Sequence, residues 1–254
     1  LQKKDFTWNS TLIFMRNRRS IVHLYGDMVD ILDDQGNIIG QKEADDILNQ
    51  WFIGQDPDRI WSYERIGVWQ LDEETIAKKY GLQPGDFKYK DQNGDSVMTN
   101  ADKVFQRYTT PRFRWTWRHE FNYKNFNLAV FLYSNWGQTG TYNRAANSSS
   151  FPDRTTDYAI PRWTINNPIN DYARIGSSNI GSNYIDRSFI RLDNIALSYV
   201  VPKSWLNTIK VESLFISASV RNVTFWAPHW DFGDPESGAQ PTPRTYNLSL
   251  NLTL

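Results

Sequence analysis

The stretch that most constrains the fold is Tyr246-Asn247-Leu248-Ser249-Leu250-Asn251-Leu252-Thr253-Leu254, where every even position is apolar or aromatic and every odd one is Asn, Ser or Thr. Side chains along a strand point alternately to opposite faces, so this segment reads as a β-strand with one apolar and one polar face. The alternation runs flush to the last residue with no polar tail. Such a strand must pair with a neighbour, and a closed barrel supplies one.

Composition narrows the solvent of that strand. The 254 residues balance 28 Lys+Arg against 28 Asp+Glu, so no net field favours nucleic acid or an anionic membrane surface. Mean hydropathy is -0.60, the value of a water-soluble chain, yet 15% of residues are aromatic, 11 of them Trp. A transmembrane β-barrel reconciles the two, because only alternate residues of short strands face lipid. No apolar run approaches the ~20 residues of a spanning helix. The absence of cysteine excludes disulfide scaffolds and thiolate metal sites. The opening Leu1-Gln2-Lys3-Lys4-Asp5 has neither a Met nor a signal-peptide pattern, and the expectation is that the chain begins inside something larger.

In chain order, Phe6 to Phe14 alternates with Phe6, Trp8, Leu12 and Phe14 on one face, a strand. Ile21 to Tyr25 is an extended run. Met28 to Leu32 and Asn37 to Gly40 flank Asp33-Asp34-Gln35-Gly36 as a small hairpin, and Lys42 to Trp51 reads as a short helix. This region lacks a barrel-length apolar face and is placed outside the membrane. Arg59 to Gln70 is expected to be another strand. Asp72 to Gly81 is a helix with acids first, lysines last and a glycine at its end.

A metal-type spacing follows, in a segment 84–110 expected to be an extracellular loop. Side-chain oxygens of Asp91, Asn93, Asp95, Thr99 and Asp102 fall at positions 1, 3, 5, 9 and 12 of a loop, with the Val97 carbonyl at 7. That is the donor order of an EF-hand-like calcium loop, over 91–102, which would take calcium or magnesium. Two residues depart from it: Ser96 stands where glycine makes the sharp turn, and Asp102 is shorter than the usual glutamate. The alternative is an ion-free, Asx-rich surface turn.

The most amphipathic strand comes next. Phe113, Trp115, Trp117, His119 and Phe121 share one face; Arg112, Arg114, Thr116, Arg118 and Glu120 share the other. An aromatic belt outside and a charged lumen inside account for both faces. A short turn at Asn122 to Asn125 leads to an antiparallel partner, Phe126 to Trp136. Gly137 to Asp186 is a long polar loop interrupted by Phe151, Tyr158, Trp163 and Tyr172. Arg187 to Val200 is a strand whose apolar phase slips, placing a β-bulge near Asp193-Asn194. A turn at 201–208, a strand Lys210 to Asn222 and a loop Thr224 to Pro243 lead to the last strand. Long loops alternate with short turns, as on the two sides of an outer-membrane barrel.

Residues 188–202, Ser-Phe-Ile-Arg-Leu-Asp-Asn-Ile-Ala-Leu-Ser-Tyr-Val-Val-Pro, resemble the "RL-x-N-hydrophobic-x-L-x-Y-x-x-P" segment of SusC/RagA-type TonB-dependent outer-membrane transporters. Ser219-Val220-Arg221-Asn222, Asp234-Pro235-Glu236 and Pro243-Arg244-Thr245-Tyr246 are similar to further family segments. So are Pro84 to Asp95 ("PGD-x-x-(Y/F)-x-D-x-NGDG") and Tyr123 to Leu128 ("YKNFDL"). The matches run in family order over most of residues 84–254 and more loosely over 1–83. The resemblance implies an all-β fold: the C-terminal segment, about seven antiparallel strands, of a large transmembrane barrel of about 22 strands with long extracellular loops. It implies import of oligosaccharide or peptide across the outer membrane, powered through TonB, with a SusD-like surface lipoprotein as lid. The remaining N-terminal portion of the transporter and outer-membrane lipid are the other implied partners; nucleic acid is not one. An odd number of strands with a periplasmic C-terminus would put Leu1 on the extracellular side, at a break in a longer polypeptide.

Trp136, Trp163, Trp226 and Trp230 are the candidate substrate platforms, with packing or belt as the plainer role for each. A soluble, calcium-dependent carbohydrate-binding β-protein is the rival reading and would use the same tryptophans and the 91–102 loop. An enzyme is not expected: His23, His119 and His229 lie in unrelated segments, and no nucleophile motif or phosphate-binding loop is present.

Overall fold

A computed structural model describes residues 1–141, 160–177, 183–237, 240 and 242–254. Phe151 and Tyr158 lie outside these. In chain order the strands are β1 (Gln2–Lys3), β2 (Phe6–Arg16), β3 (Met28–Leu32), β4 (Ile38–Glu43), β5 (Arg59–Tyr63), β6 (Arg65–Val68), β7 (Phe87–Tyr89) and β8 (Lys103–Tyr108). They continue as β9 (Phe113–Tyr123), β10 (Phe126–Trp136), β11 (Thr139–Thr141), β12 (Tyr184–Asp186), β13 (Phe189–Val200), β14 (Ser213–Trp226) and β15 (Thr245–Thr253). Of two single-turn helices, α1 (Glu74–Ala77) lies between two 3₁₀ turns and α2 (Lys203–Leu206) is followed by one. The chain divides into two units: residues 1–17, 111–138 and 186–254 form the first, and 18–110 with 139–185 the second.

The first unit is one antiparallel sheet in the order β1-β2-β9-β10-β13-β14-β15. Its register turns the sequence alternation into two chemically opposite faces. One cross-strand row runs Trp8, Phe121, Leu128, Leu197, Ala218, Leu248. A row one residue away runs Thr7, Asn122, Asn127, Ser198, Ser217, Ser249 on the other face. The apolar face is open: Leu248 in this row is 73% exposed and Leu12, which pairs with Trp117 in another row of the same face, 63%. Each such side chain left in water forgoes about 1.5–3 kcal/mol of transfer free energy. A whole face of them is stable against hydrocarbon. Among the described residues no helix is long and apolar enough to cross a membrane, which leaves a β-barrel open.

The bulge expected near Asp193-Asn194 is present. Leu192 pairs with Thr224 and Asn194 with Arg221, so the ladder skips Asp193 on one strand and Asn222-Val223 on the other. Asn222 takes a left-handed φ of 53° there, a conformation in which Asn is among the least penalised residues.

The wall differs from expectation in its membership. Arg59 to Gln70 is not a wall strand. It breaks at Glu64 into β5 and β6, which pair with β8 and β7 in the second unit. Ile60, Ser62, Val68 and Trp69 are buried there, which explains the less regular alternation. The seventh strand is instead the two-residue β1, and Leu1 lies opposite Trp8, exchanging hydrogen bonds with it at 2.8 Å in both directions. Leu1 therefore sits beside the short β1–β2 turn, not at the far end of a wall strand. Ile21 to Tyr25 makes only an isolated bridge, Ile21 to Ile53. Lys42 to Trp51 is no helix: β4 runs to Glu43, and an Asx turn follows in which Asp46 accepts from the Asn49 N–H.

The second unit has apolar cores of its own. Val68, Phe87, Tyr89, Trp163 and Ala173 form one cluster, and Trp69, Ala77 and Leu82 another. Its hairpin β3–β4 and its helical turns over 71–80, closed by Gly81 at φ 70°, follow the sequence reading.

Candidate functional site

The polar face of the sheet carries the first candidate surface. Alternation brings Asn9, Thr11 and Ile13 from β2 beside Thr116, Arg118 and Glu120 from β9, with Phe131 from β10, around an open cleft of about 450 Å³. Arg118 and Glu120 form an ion pair within it. One amide, two hydroxyls and an ion pair beside the apolar Ile13 and Phe131 offer both donors and acceptors and an apolar contact, which suits a solute with polar and apolar parts.

The second feature is a buried node around Arg191, whose role the sequence reading did not assign. Arg191 is 2% exposed, although it stands in the middle of a sheet. Its Nη2 donates to Asp234 Oδ1 at 2.6 Å, its Nε lies 3.0 Å from Glu236 Oε2, and its Nη1 donates to the Asn222 side-chain carbonyl. The guanidinium sits between two rings, 5.5 Å from Phe189 and 5.3 Å from Phe225. Asp234 also accepts from the Glu236 N–H at 2.9 Å, Tyr133 donates to Glu236, and the Asn222 amide donates to the Thr242 carbonyl. Every partner of the guanidinium is a full or partial negative charge, the condition under which a buried cation is tolerable. Burial works against the Asp234 anion, but Arg191 and the Glu236 and Ser237 N–H groups outweigh it and hold its carboxyl below the usual range. Arg187 adds a second tie, donating through Nε to the Pro235 carbonyl at 3.0 Å. The node fastens the 227–244 loop to the sheet. It joins Arg191, Asn222 and Asp234-Pro235-Glu236, three of the family segments noted in the sequence.

The 91–102 loop is closed by its own hydrogen bonds. Asp91 accepts from Gly94 N at 2.6 Å, from Ser96 N at 2.8 Å and from the Tyr80 hydroxyl at 3.1 Å. Asn93 accepts from Asp95 N at 3.1 Å and Asp95 from Val97 N at 2.7 Å. Asp102, fully buried, accepts from Gln92 N at 3.0 Å and Thr99 N at 2.8 Å. Thr99 caps the turn by accepting from Ala101 N. Ser96 takes a left-handed φ of 64°, the conformation for which glycine is the cheaper residue. The carboxylates are engaged by backbone N–H groups, and among the described residues no three acidic or histidine side chains gather where they could hold a metal.

The four tryptophans divide by environment. Trp163 is 6% exposed in the core of the second unit, where its Nε1 donates to Gln70 Oε1 at 2.9 Å. Trp230 is also buried, edge-on to Phe232 with the Arg187 guanidinium 5.0 Å from its ring. Both are positioned as packing residues. Trp136 and Trp226 stack at 6.2 Å, and register places them with Ser134 and Ile190 on the apolar face. The accessible pair therefore lies on the apolar face, while the polar-face residues above were not among the sequence candidates. Alternation alone would have named them, but so many positions share that pattern that it cannot rank one above another.

No family model matches the chain. It is 26% identical over 98% of its length to TonB-dependent receptor P26 of Formosa agariphila, and 24% identical over 99% to TonB-dependent receptor SusC of Bacteroides thetaiotaomicron. The chain spans about a quarter of these relatives, 27% and 24% of their respective lengths. Among solved structures it superposes on the RagAB peptide transporter with a TM-score of 0.69 at 20% identity, covering 99% of this chain and 28% of that one. The open-open state of the RagAB peptide importer gives the same score at 21% identity. With an antiparallel wall, an uncovered apolar face and TonB-dependent receptors as relatives along its whole length, this chain is similar to a β-barrel portion of the SusC/RagA-type TonB-dependent outer-membrane receptors.

Proposed function

We propose that the complete protein imports oligosaccharides or peptides across the outer membrane, energised through TonB and working with a SusD-like surface lipoprotein. The observation that carries this is the two-faced wall. Six strands of 9 to 14 residues present aligned apolar rows to one side and amide and hydroxyl rows to the other. At about 3.3 Å per residue these strands are long enough to cross a hydrocarbon layer while lining an aqueous path. The long insertions leave from one end of the sheet and the short turns from the other. In this reading the second unit, including residues 84–110, is extracellular, and the short-turn end, with the C-terminus, is periplasmic.

The test is a deletion of the full-length gene, with uptake of labelled glycan and peptide mixtures measured in the intact bacterium. Loss of uptake of one cargo class, restored by the complete protein, is the expected result. Unchanged uptake of both classes, or recovery of the protein in a detergent-free soluble fraction, overturns it. The second outcome would favour the soluble carbohydrate-binding alternative.

Calcium at 91–102 is the lesser part of the proposal. Alternating oxygen donors and the left-handed Ser96 support it. It requires Asp91, Asp95 and Asp102 to exchange N–H partners for the ion. Equal calcium content in the native protein and an Asp91→Ala, Asp95→Ala variant would remove it.

A further inference from the structure

The short-turn end of the sheet segregates charge in a way that the import function does not use. The first unit contains five lysines, Lys3, Lys4, Lys124, Lys203 and Lys210, and all five lie in or beside its three short connections, β1–β2, β9–β10 and β13–β14. None of its arginines is there; Arg16, Arg112, Arg114, Arg187 and Arg244 cluster toward the opposite end. The same connections carry only two acidic side chains, Asp5 and Glu212. All five lysines are exposed, and among the described residues none forms an ion pair. In the second unit, by contrast, Lys42, Lys78, Lys88 and Lys90 are each bridged to a carboxylate.

The connections are tied into one continuous rim. Lys124 N donates to the Asp5 carbonyl at 3.0 Å, and Val200 N donates to the Asn125 carbonyl at 2.9 Å. Lys124 and Lys210 hold left-handed φ values of 49° and 56°, where glycine or asparagine would cost less. The Lys124 ammonium lies 5.4 Å from the Tyr123 ring, and Trp205 beside Lys203 is 65% exposed. Exposed aromatics with long cationic stems are the residues that settle at a membrane–water boundary, with the ring among acyl and glycerol groups and the ammonium among phosphates.

We propose that this rim is a binding surface for anionic glycerophospholipid headgroups, with the lysines pairing with phosphates of the inner leaflet of the outer membrane. The inference rests on the membrane-spanning reading above, and on short turns facing the periplasm. Charge complementarity selects the occupant: unpaired, flexible ammonium groups strung along a hydrogen-bonded edge match a row of phosphates better than they match one folded partner.

The experiment uses the full-length transporter in nanodiscs of phosphatidylcholine doped with either phosphatidylglycerol or lipid A, with co-purifying lipids counted by native mass spectrometry. Native protein is expected to retain phosphatidylglycerol in preference to phosphatidylcholine. Replacing the five lysines (Lys3→Gln, Lys4→Gln, Lys124→Gln, Lys203→Gln, Lys210→Gln) should lower that preference roughly fivefold or more, about the factor expected for even one lysine near a charged surface. Lys→Arg replacements at the same positions should keep it. Equal phosphatidylglycerol retention in native and glutamine proteins overturns the proposal, as does a lysine-dependent preference for lipid A, which would put the rim in the outer leaflet. Heat-modifiable migration of each protein is scored separately. Its absence from native protein marks failure of the barrel reading, not of the lipid site.

Discussion

At the scale of single residues, Arg191 has the largest energetic consequence. It is a buried cation whose partners sit on a loop 43 residues away in sequence. Arg191→Ala would strand Asp234 without its counter-charge, and breaking one side of a buried pair costs about 3–5 kcal/mol. Asp234→Leu with Arg191→Met should recover most of that loss, because the pair is stabilising only relative to half of itself. Urea unfolding of the refolded barrel measures both, and additive losses in the double variant would argue against coupling. The acid response has a definite sign. The Asp234 carboxyl is held below its ordinary value in the folded state, so its contribution is complete above the unfolded value near ~3.9 and is lost as pH falls through the lower, folded value. The protection factors of the Glu236 and Ser237 amides, corrected for the intrinsic pH dependence of exchange, should hold at pH 5 and fall below about pH 4. In Asp234→Asn that acid step should be missing.

At the scale of elements, what could be read from the sequence depended on how many faces an element buries. Tyr246 to Leu254 and Phe113 to Phe121 each carry one apolar and one polar face, so their alternation gave strand and face, and for Phe113 to Phe121 the short turn gave the antiparallel neighbour as well. Arg59 to Gln70 buries residues on both sides within the second unit and carries no such signature, and it misled the strand list. The Arg191 node was visible only as family segments, because its geometry depends on a bulge at Asn222 and a returning loop that no local pattern encodes. Gly85 is a similar case. Its φ is 89°, and a Cβ there would lie 2.5 Å from Trp163 Cε3 and 2.8 Å from Arg174 Cδ. Gly81 also has a positive φ, 70°, but open space around it. Gly85→Ala should therefore destabilise the second unit by about 2–4 kcal/mol, combining overpacking with left-handed strain, and Gly81→Ala by about 1 kcal/mol. Thermal unfolding followed by tryptophan emission separates them; equal shifts would mean that Trp163 yields freely.

At the scale of the whole molecule, connectivity fixes a polarity that side chains then decorate. The chain leaves the sheet after Arg16, Trp136 and Trp226 for long excursions, and turns back within a few residues after Lys3 and Tyr123 and through a single-turn helix after Val200. In outer-membrane barrels long loops face the exterior and short turns the periplasm. These 254 residues contain no cysteine, so in a full-length protein whose remaining cysteines are replaced, single new ones report position. Asn37→Cys, in the exposed β3–β4 hairpin, should react with a membrane-impermeant maleimide on intact cells. Ser204→Cys, exposed on α2 in the β13–β14 connection, should react only after the outer membrane is permeabilised. The reverse pattern would invert the wall, assign the lysine rim to the cell surface and remove the basis for an extracellular second unit. Labelling of both positions on intact cells would mean that the apolar face meets something other than a sealed bilayer.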